Sequence, residues 1–476
     1  MIDSVEIRPG AYYDSVRLMQ ASQALQLVPD VEDALVAMGT DLNRELAMDM
    51  GFDPGSIGHA GPNDLLVAIR AVDEKAAAAA IQVLESTLAA RTEPGAGVFA
   101  APPAHVIGSV AAGANLALIS VPGEHAFVEA MDALRHDLSV MVFSDNMPVE
   151  QEVVLKKEAE RLGLLVMGPD CGTAIVNGVG LGFANVTQPG PVGIVGAAGT
   201  GIQQLCCLLD AAGVGVRNAL GTGSRDLSVE VGGSSTLRGL EALDADPSTE
   251  VLIVVSKPPS PEVAAKVEAA AADCSTPTVL AFLGEEGVTL EGAVGQTLDL
   301  AGKPPPVYAS WPAVAGDHRP GYLRGLFSGG SLRSEAAVIA SGLGMIGHDE
   351  HAGGHTLVDF GSDRYTLGRA HPMIDQRLRL QHLEEAAFDP AAGVILLDVV
   401  LGHGAHPDPA SELAPVIDIA RAEGPAVVVS LCGTTDDPQD RERQARLLNE
   451  AGASVWLSNA AAARHAVSLT EDGRHE

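Results

Sequence analysis

The sequence predicts an α/β protein of several domains, and three observations carry that reading. The chain has 476 residues, too many for one hydrophobic core. Beyond residue 104 one cycle recurs, a buried apolar strand, a turn of Gly, Pro or Ser and an amphipathic helix, which is the pattern of parallel βαβ units. Before residue 91 the runs are shorter and mixed, as in a small α+β domain.

In chain order, β-like runs at 5–8, 31–38 and 64–69 alternate with helix-like runs at 15–27, 42–50 and 74–90, which sets the N-terminal domain at 1–91. The Ala-, Gly- and Pro-rich stretch 92–104 reads as a linker. Strands at 116–120, 140–143 and 164–167, with helices at 124–134 and 149–162, build the next domain, 104–190. Two further units follow, at 191–300 and 321–469. Between their regular parts, 283–320 carries five prolines and weak periodicity and is expected to be a mobile connection. The polar tail 470–476 is expected to fray.

Composition narrows the function classes. Sixty-two acidic residues against 29 basic ones leave a formal charge of −33, which repels nucleic acid and anionic membrane surfaces. The apolar stretches, such as 76–81 and 394–400, fall far short of the roughly 20 residues that a membrane-spanning helix needs. Cys171, Cys206, Cys207, Cys274 and Cys432 form no CxxC and have no histidine at ligand spacing, so they read as reduced thiols and no metal site is expected. The N-terminus lacks a basic and apolar leader, so a cytoplasmic location is expected.

The sharpest motif is VGIVGAAGTG at 192–201, a strand opening through a Gly-rich turn into a helix at 202–212. Unpaired N–H groups at such a helix start attract phosphate. Gly196, Gly199 and Gly201 would allow close approach and Thr200 would add a hydroxyl; a glycine turn kept only for tight packing is an equal alternative. The device recurs at Ser328, Gly329, Gly330 and Ser331 before a helix at 334–341, with Arg333 either at the site or solvated. Three loops, SVPG (120–123), SDNMP (144–148) and GPDCG (168–172), each follow a strand of one sheet and should converge on a nucleotide-sized crevice, or else are ordinary turns. GRAHPMID (368–375) joins a cation, an imidazole and a carboxylate, as anion binding with acid–base chemistry would need, or as a surface loop would show by chance. His403 and His406 follow a buried strand; one of them is a site candidate, and metal binding by the pair is disfavoured for want of a partner carboxylate.

These strings carry a family resemblance. From about 104 to 282 the chain resembles the α subunit of succinyl-CoA synthetase, and over nearly its whole length it is similar to the FdrA family, through RPGAYYDSVRLM, RGLFSGGSLRSEA, GRAHPMID and LLDVVLGHGAHPDPA. The resemblance implies a Rossmann-like CoA-binding-type domain at 104–190 and two flavodoxin-like ligase-type domains at 191–300 and 321–469. It also implies Ser120, Pro122, Asn146, Pro148, Pro169 and Asp170 as CoA-type loop residues, with CoA itself possible and no other cofactor. Synthetases of this group relay phosphate through a histidine in a Gly-His-Ala-Gly loop, helped by a glutamate in an earlier loop. Here the corresponding loops read LGEEGV (283–288) and SKPPSPE (256–262), and the GHAG at 58–61 lies in the wrong domain and is taken as chance.

A chain that keeps the anion-binding helix starts without that histidine can still move the acyl group of an acyl phosphate made elsewhere. FdrA-like proteins imply the large subunit of an oxamate carbamoyltransferase in allantoin breakdown. The expected substrates are then carbamoyl phosphate and oxamate, or oxalurate and phosphate in reverse, with companion subunits. In that reading Arg369, His371 and His403 are the polarising and proton-handling candidates. An NDP-forming acyl-CoA ligase subunit and a non-catalytic scaffold subunit are the alternatives.

Overall fold

The computed structural model describes the chain apart from residues 12, 14, 62–63, 90–112, 285–286, 314–318, 350–352, 367–368 and 473–476. It divides into two compact units: 1–104 with 365–375, and 105–364 with 376–476. The expected linker 92–104 lies outside the described residues.

The first unit runs β1 (Ile2–Arg8), α1 (Ser15–Gln26), β2 (Val31–Met38), α2 (Asp41–Asp49), α3 (Pro54–Ile57), β3 (Leu65–Ala71) and α4 (Glu74–Ala89). Its antiparallel sheet has the order β1-β3-β2. Successive residues of a strand point to opposite faces, and β3 is buried on both. Leu65, Val67 and Ile69 join Leu18, Leu25 and Leu84 of α1 and α4, while Leu66 and Ala68 join Ala47, Phe52 and Ile57. The segment 365–375 clusters with this unit although it comes from far along the chain, and its Pro372, Met373 and Ile374 are buried.

The second unit opens with a three-stranded parallel sheet, β4 (Leu116–Ile119), β5 (Ser139–Val142) and β6 (Val166–Met167), connected by α5 (Gly123–Arg135) and α6 (Val149–Leu162). A hairpin, β7 (Thr173–Val176) and β8 (Val179–Gly182), joins the edge of the next sheet. That sheet is built from β9 (Val192–Ala197), α7 (Gly199–Ala211), β10 (Val216–Gly221), α8 (Ser234–Asp244), β11 (Val251–Ser256), α9 (Pro261–Asp273), β12 (Thr278–Phe282) and α10 (Leu290–Leu300), in the order β12-β11-β9-β10-β7-β8.

The last sheet comprises β13 (Ser310–Trp311), β14 (Tyr322–Phe327), α11 (Gly330–Ile339), β15 (Ile346–Gly347), β16 (His355–Asp359), α12 (Asp363–Thr366), α13 (Arg377–Phe388), β17 (Ala392–Val400), α14 (Pro409–Glu423), β18 (Ala426–Cys432), α15 (Arg441–Glu450), β19 (Ser454–Trp456) and α16 (Asn459–Asp472). Its order is β13-β19-β18-β17-β14-β16-β15. Both larger sheets therefore have their first parallel strand, β9 or β14, in the middle with later strands on either side. The chain reverses its direction of winding there, and ligands of such sheets bind at that point, beyond the carboxyl ends of the strands.

Several expectations change. The stretch 283–320 is not a loose connection throughout: Thr289 caps α10 by accepting from Gly292 N–H (3.0 Å), Leu290, Val294 and Leu298 are buried, and β13 pairs with β19. Prolines at 304–306 end this helical run without abolishing it. The tail stays helical to Asp472 and buries Thr470, because α16 packs on the last sheet.

Glu335 of α11 is buried and accepts from Leu290 N–H (2.6 Å) and Asn459 Nδ2 (2.7 Å), tying α10 to α16. Burial pushes its carboxyl up to about 7 despite those donors. An acid raised on folding contributes stability below its unfolded pKa and loses it as pH rises through the folded value. Thermal melting from pH 5 to 8 should thus show wild type losing stability relative to Glu335→Gln as pH rises through about 7; parallel curves for the two chains would contradict this.

Candidate functional site

At the end of β9 the chain turns through Ala198 into α7, and Ala198 has no side chain with which to cap it. The first N–H groups of a helix have no partner within it. Here they belong to Gly199, Thr200 and Gly201, of which Thr200 and Gly201 are buried. Thr200 is only 9% exposed and its Oγ1 has no hydrogen-bond partner. A buried helix start without a cap is the local signature of a ligand position.

The second Gly-rich start faces the first. A Cβ built on Gly329 would lie 2.5 Å from Thr200 Oγ1, and one on Gly201 would lie 3.4 Å from Ser331 Cβ. A Cβ on Gly330 would meet Asp359 Oδ2 at 2.4 Å and Lys257 Nζ at 2.5 Å. The ends of β9, β11, β14 and β16 thus bring α7, Lys257, α11 and Asp359 together around one crevice. Lys257 is half-buried, and no hydrogen bond or ion pair of its ammonium is found among the described residues. Asp359 is pushed up from the ordinary carboxylate range by burial, against the pull of Lys257. Arg333, in the first turn of α11, donates from Nε to Leu357 O (3.1 Å) and keeps a buried Nη2 without a partner; burial lowers its pKa, against the attraction of Asp359.

The glycines divide by role. Gly196 is a packing residue, since a Cβ there would lie 2.7 Å from Ile202 and 2.8 Å from Val255 side chains. Gly199 is open, with only Thr173 Oγ1 near, at 3.6 Å. Ser328 and Gly329 do not offer their N–H groups to an anion. Asp398 takes both, Ser328 N–H and hydroxyl on Oδ1 (2.7 and 2.8 Å) and Gly329 N–H on Oδ2 (2.9 Å), and is itself held by Arg379 (2.5 Å). The N–H groups left at this start are those of Gly330, Ser331 and Leu332, because α11 begins at Gly330.

The three loops beyond β4, β5 and β6 do meet. Ser144 donates to Val121 O (2.5 Å), Asp170 N–H donates to Ser144 O (2.9 Å), and a Cβ on Gly123 would strike Asp145 O at 2.0 Å. Ser120 is half-buried there, Pro122 and Pro148 start α5 and α6, Asn146 is exposed at φ 57°, and Pro169 is buried against Gly223. Asp170 reaches solvent, yet the protein around it is dense enough that loss of water pushes its carboxyl up to about 6, with Ser224 and Lys257 opposing.

The remaining candidates lie elsewhere. Arg369 is exposed and His371 accepts from Met373 N–H at Nδ1 (3.2 Å) in a tight turn; both belong to the segment that clusters with the N-terminal unit. Gly368 lies outside the described residues. His403 is exposed, and its backbone bridges to Ala184. His406 serves its own loop, accepting from Asp408 N–H (3.1 Å) and pairing with Glu412 (3.1 Å). Lys257 and Asp359 escaped the reading of the sequence as site residues; the available signal was that each directly follows or ends a buried strand beside a Gly-rich turn.

Comparison with known proteins places these elements. A model of the AllF heavy metal-associated domain matches residues 1–102, one of the CoA binding domain matches 187–284, and one of the CoA-ligase domain matches 326–469. The CoA-binding match thus covers the unit built on β9, whereas the sequence reading put a CoA-binding-type domain at 104–190. Residues 1–102 contain no cysteine, and no cluster of three or more metal-ligating side chains occurs among the described residues. YahF of Escherichia coli K12 is 37% identical over 500 positions, covering 96% of each chain. The succinate–CoA ligase [ADP-forming] α subunit of Methanothermobacter thermautotrophicus is 27% identical over 146 residues, 30% of this chain and 48% of that one. Among solved structures, a dinucleotide-forming acetyl-coenzyme A synthetase 1 of Ca. Korarchaeum cryptofilum is 15% identical with a TM-score of 0.29, covering 76% of this chain and 83% of that chain. No helix among the described residues is long and apolar enough to cross a membrane.

Proposed function

This chain belongs to the family of Escherichia coli YahF and is succinyl-CoA-synthetase-like in its CoA-binding and CoA-ligase domains, and we propose that it is the acyl-phosphate-binding subunit of an acyltransferase. The observation that carries this is the buried, unpartnered Thr200 hydroxyl between two uncapped helix starts, with Lys257 beside them. A phosphate dianion suits that place: Lys257 supplies charge, the N–H groups of 199–201 and 330–332 supply donors, and Thr200 supplies a hydroxyl. Fixed donors around a leaving phosphate stabilise the charge that develops as the acyl–oxygen bond breaks. The loop after β12, LGEEG at 283–287, has no histidine to take the phosphoryl group, which favours direct acyl transfer over a phosphoenzyme.

Carbamoyl phosphate as donor and oxamate as acceptor is the specific reading, supported by the FdrA resemblance and by the small size of the enclosed anion position; companion subunits would complete the enzyme. A second reading, an acyl-CoA ligase subunit, draws on the CoA-binding match at 187–284 and on the converging loops at 120–123, 144–148 and 168–172. Calorimetric titration separates the two. Carbamoyl phosphate should bind wild type, and Thr200→Val and Lys257→Met should each weaken it about ten- to hundredfold, as loss of a hydrogen bond to a charged group does. Tight binding of CoA with no heat from carbamoyl phosphate would return the chain to the ligases.

A further inference from the structure

Asp170 is not used by the anion position itself, yet its surroundings aim it there. It sits in the loop between β6 and β7 at φ 57°, a left-handed conformation unusual for a residue other than glycine. The loop is anchored on both sides: Asp170 N–H donates to Ser144 O, and Pro169 O packs where Gly223 has no side chain. Three residues on, Thr173 Oγ1 stands beside Gly199 at the open start of α7. The carboxyl lines the crevice, hydrogen-bonded with Ser224 and within electrostatic reach of Lys257.

Resting on the acyl-phosphate reading above, we propose that Asp170 is a catalytic acid of this site, giving its proton to the departing phosphate and regaining it from the acceptor. The acceptor nitrogen attacks the acyl carbon with its lone pair and a carbon–nitrogen bond forms. The bond from that carbon to the bridging oxygen breaks, the electron pair stays on the oxygen, and that oxygen takes the proton of Asp170. The proton displaced from the acceptor nitrogen returns to the Asp170 carboxylate. The sum is acyl phosphate plus N–H acceptor giving amide plus hydrogen phosphate, with no further reactant.

The groups facing Asp170 support such a role. Lys257 at the end of β11 favours its ionised form, as does the Ser224 hydroxyl; Asp145 from the loop after β5 and Asp363 of α12 favour the protonated one. Cys171 beside it stays a neutral thiol, pushed up to about 12 by burial and by Asp170 itself. Loss of water is the largest influence and raises the carboxyl to about 6. A dianion bound between the helix starts adds repulsion of the same sign as Asp145 and Asp363, so Asp170 enters the complex protonated.

Sulfate is the probe, because it is a dianion that does not titrate near neutrality. Titrating the full chain at pH 7 in two buffers of different ionisation enthalpy should show uptake approaching one proton per sulfate. Asp170→Asn, and Asp170→Ser as a second variant, should bind sulfate at least as well and take up none. Binding by wild type without proton uptake, or uptake that persists in both variants, overturns the role of Asp170 while leaving the anion position standing. Absence of sulfate binding in wild type overturns both. In preparations that turn over carbamoyl phosphate, Asp170→Asn should lower kcat about a hundredfold with KM nearly unchanged; equal kcat would be decisive against it.

Discussion

Replacing Arg379 with methionine is expected to destabilise the C-terminal sheet by about 3–5 kcal/mol, the usual consequence of leaving a buried charge unpaired. Arg379 of α13 and Asp398 of β17 are 2% and 0% exposed at their side chains and meet at 2.5 Å, and Arg379 Nη2 also donates to the Asp398 carbonyl (2.8 Å). Asp398 does more than balance that charge, because it takes both N–H groups and the hydroxyl of the 328–329 turn. Loss of Arg379 should therefore also loosen the turn that sets Gly329 against Thr200, and phosphate affinity should fall along with stability. An apolar pair, Arg379→Met with Asp398→Leu, should not restore the chain, since Ser328 and Gly329 would then keep buried N–H groups without acceptors. Urea unfolding and phosphate titration of the two variants check both statements; an Arg379→Met chain within 0.5 kcal/mol of wild type would show that the turn holds itself.

This buried pair shows where reading the sequence stops. Glycines at 199, 201, 329 and 330 are local signals, and the alternation of apolar strand and helix is local too, so the βαβ units and both helix starts were legible. Helix phase was less so: α7 begins at Gly199 and α11 at Gly330, because an uncapped start leaves no Ser, Asp or Asn to mark it. Gly196 and Ser328 looked like anion donors because their real partners, Ile202 and Val255 in one case and Asp398 in the other, are chosen by tertiary packing. Lys257 sat in the string SKPPSPE (256–262) and stood out only as a missing glutamate. Its meeting with Gly330, 73 positions later, depends on two sheets coming together. The 368–375 string misled for the opposite reason: its cation and imidazole are adjacent in sequence, but the segment clusters with the N-terminal unit rather than with the helix starts.

The other large effect is expected at Lys156. Its ammonium, 2% exposed, lies between Glu152 (2.9 Å) and Asp226 (2.7 Å), both wholly buried, and donates as well to Thr222 O (3.0 Å). This network joins α6 of the first sheet to the turn after β10. Asp226 in turn accepts from Thr236 N–H (2.9 Å) and Oγ1 (2.7 Å) at the start of α8, while Arg225 reaches Glu152 (3.0 Å) and Met147 O (2.7 Å). Lys156→Met keeps the length of the side chain and removes its charge, which leaves two buried carboxylates sharing one half-exposed arginine. A loss of about 3–5 kcal/mol follows. Adding Glu152→Gln should recover part of it, because one of the two uncompensated charges is then gone, and a double-mutant cycle measures the coupling. Gly223 and Ser224, which support Pro169 and Asp170, lie in the same turn. Hydrogen exchange in Lys156→Met should therefore quicken together at 222–226 and 168–172; exchange that quickens in α6 alone would mean that the ion pair stabilises its helix without ordering the crevice.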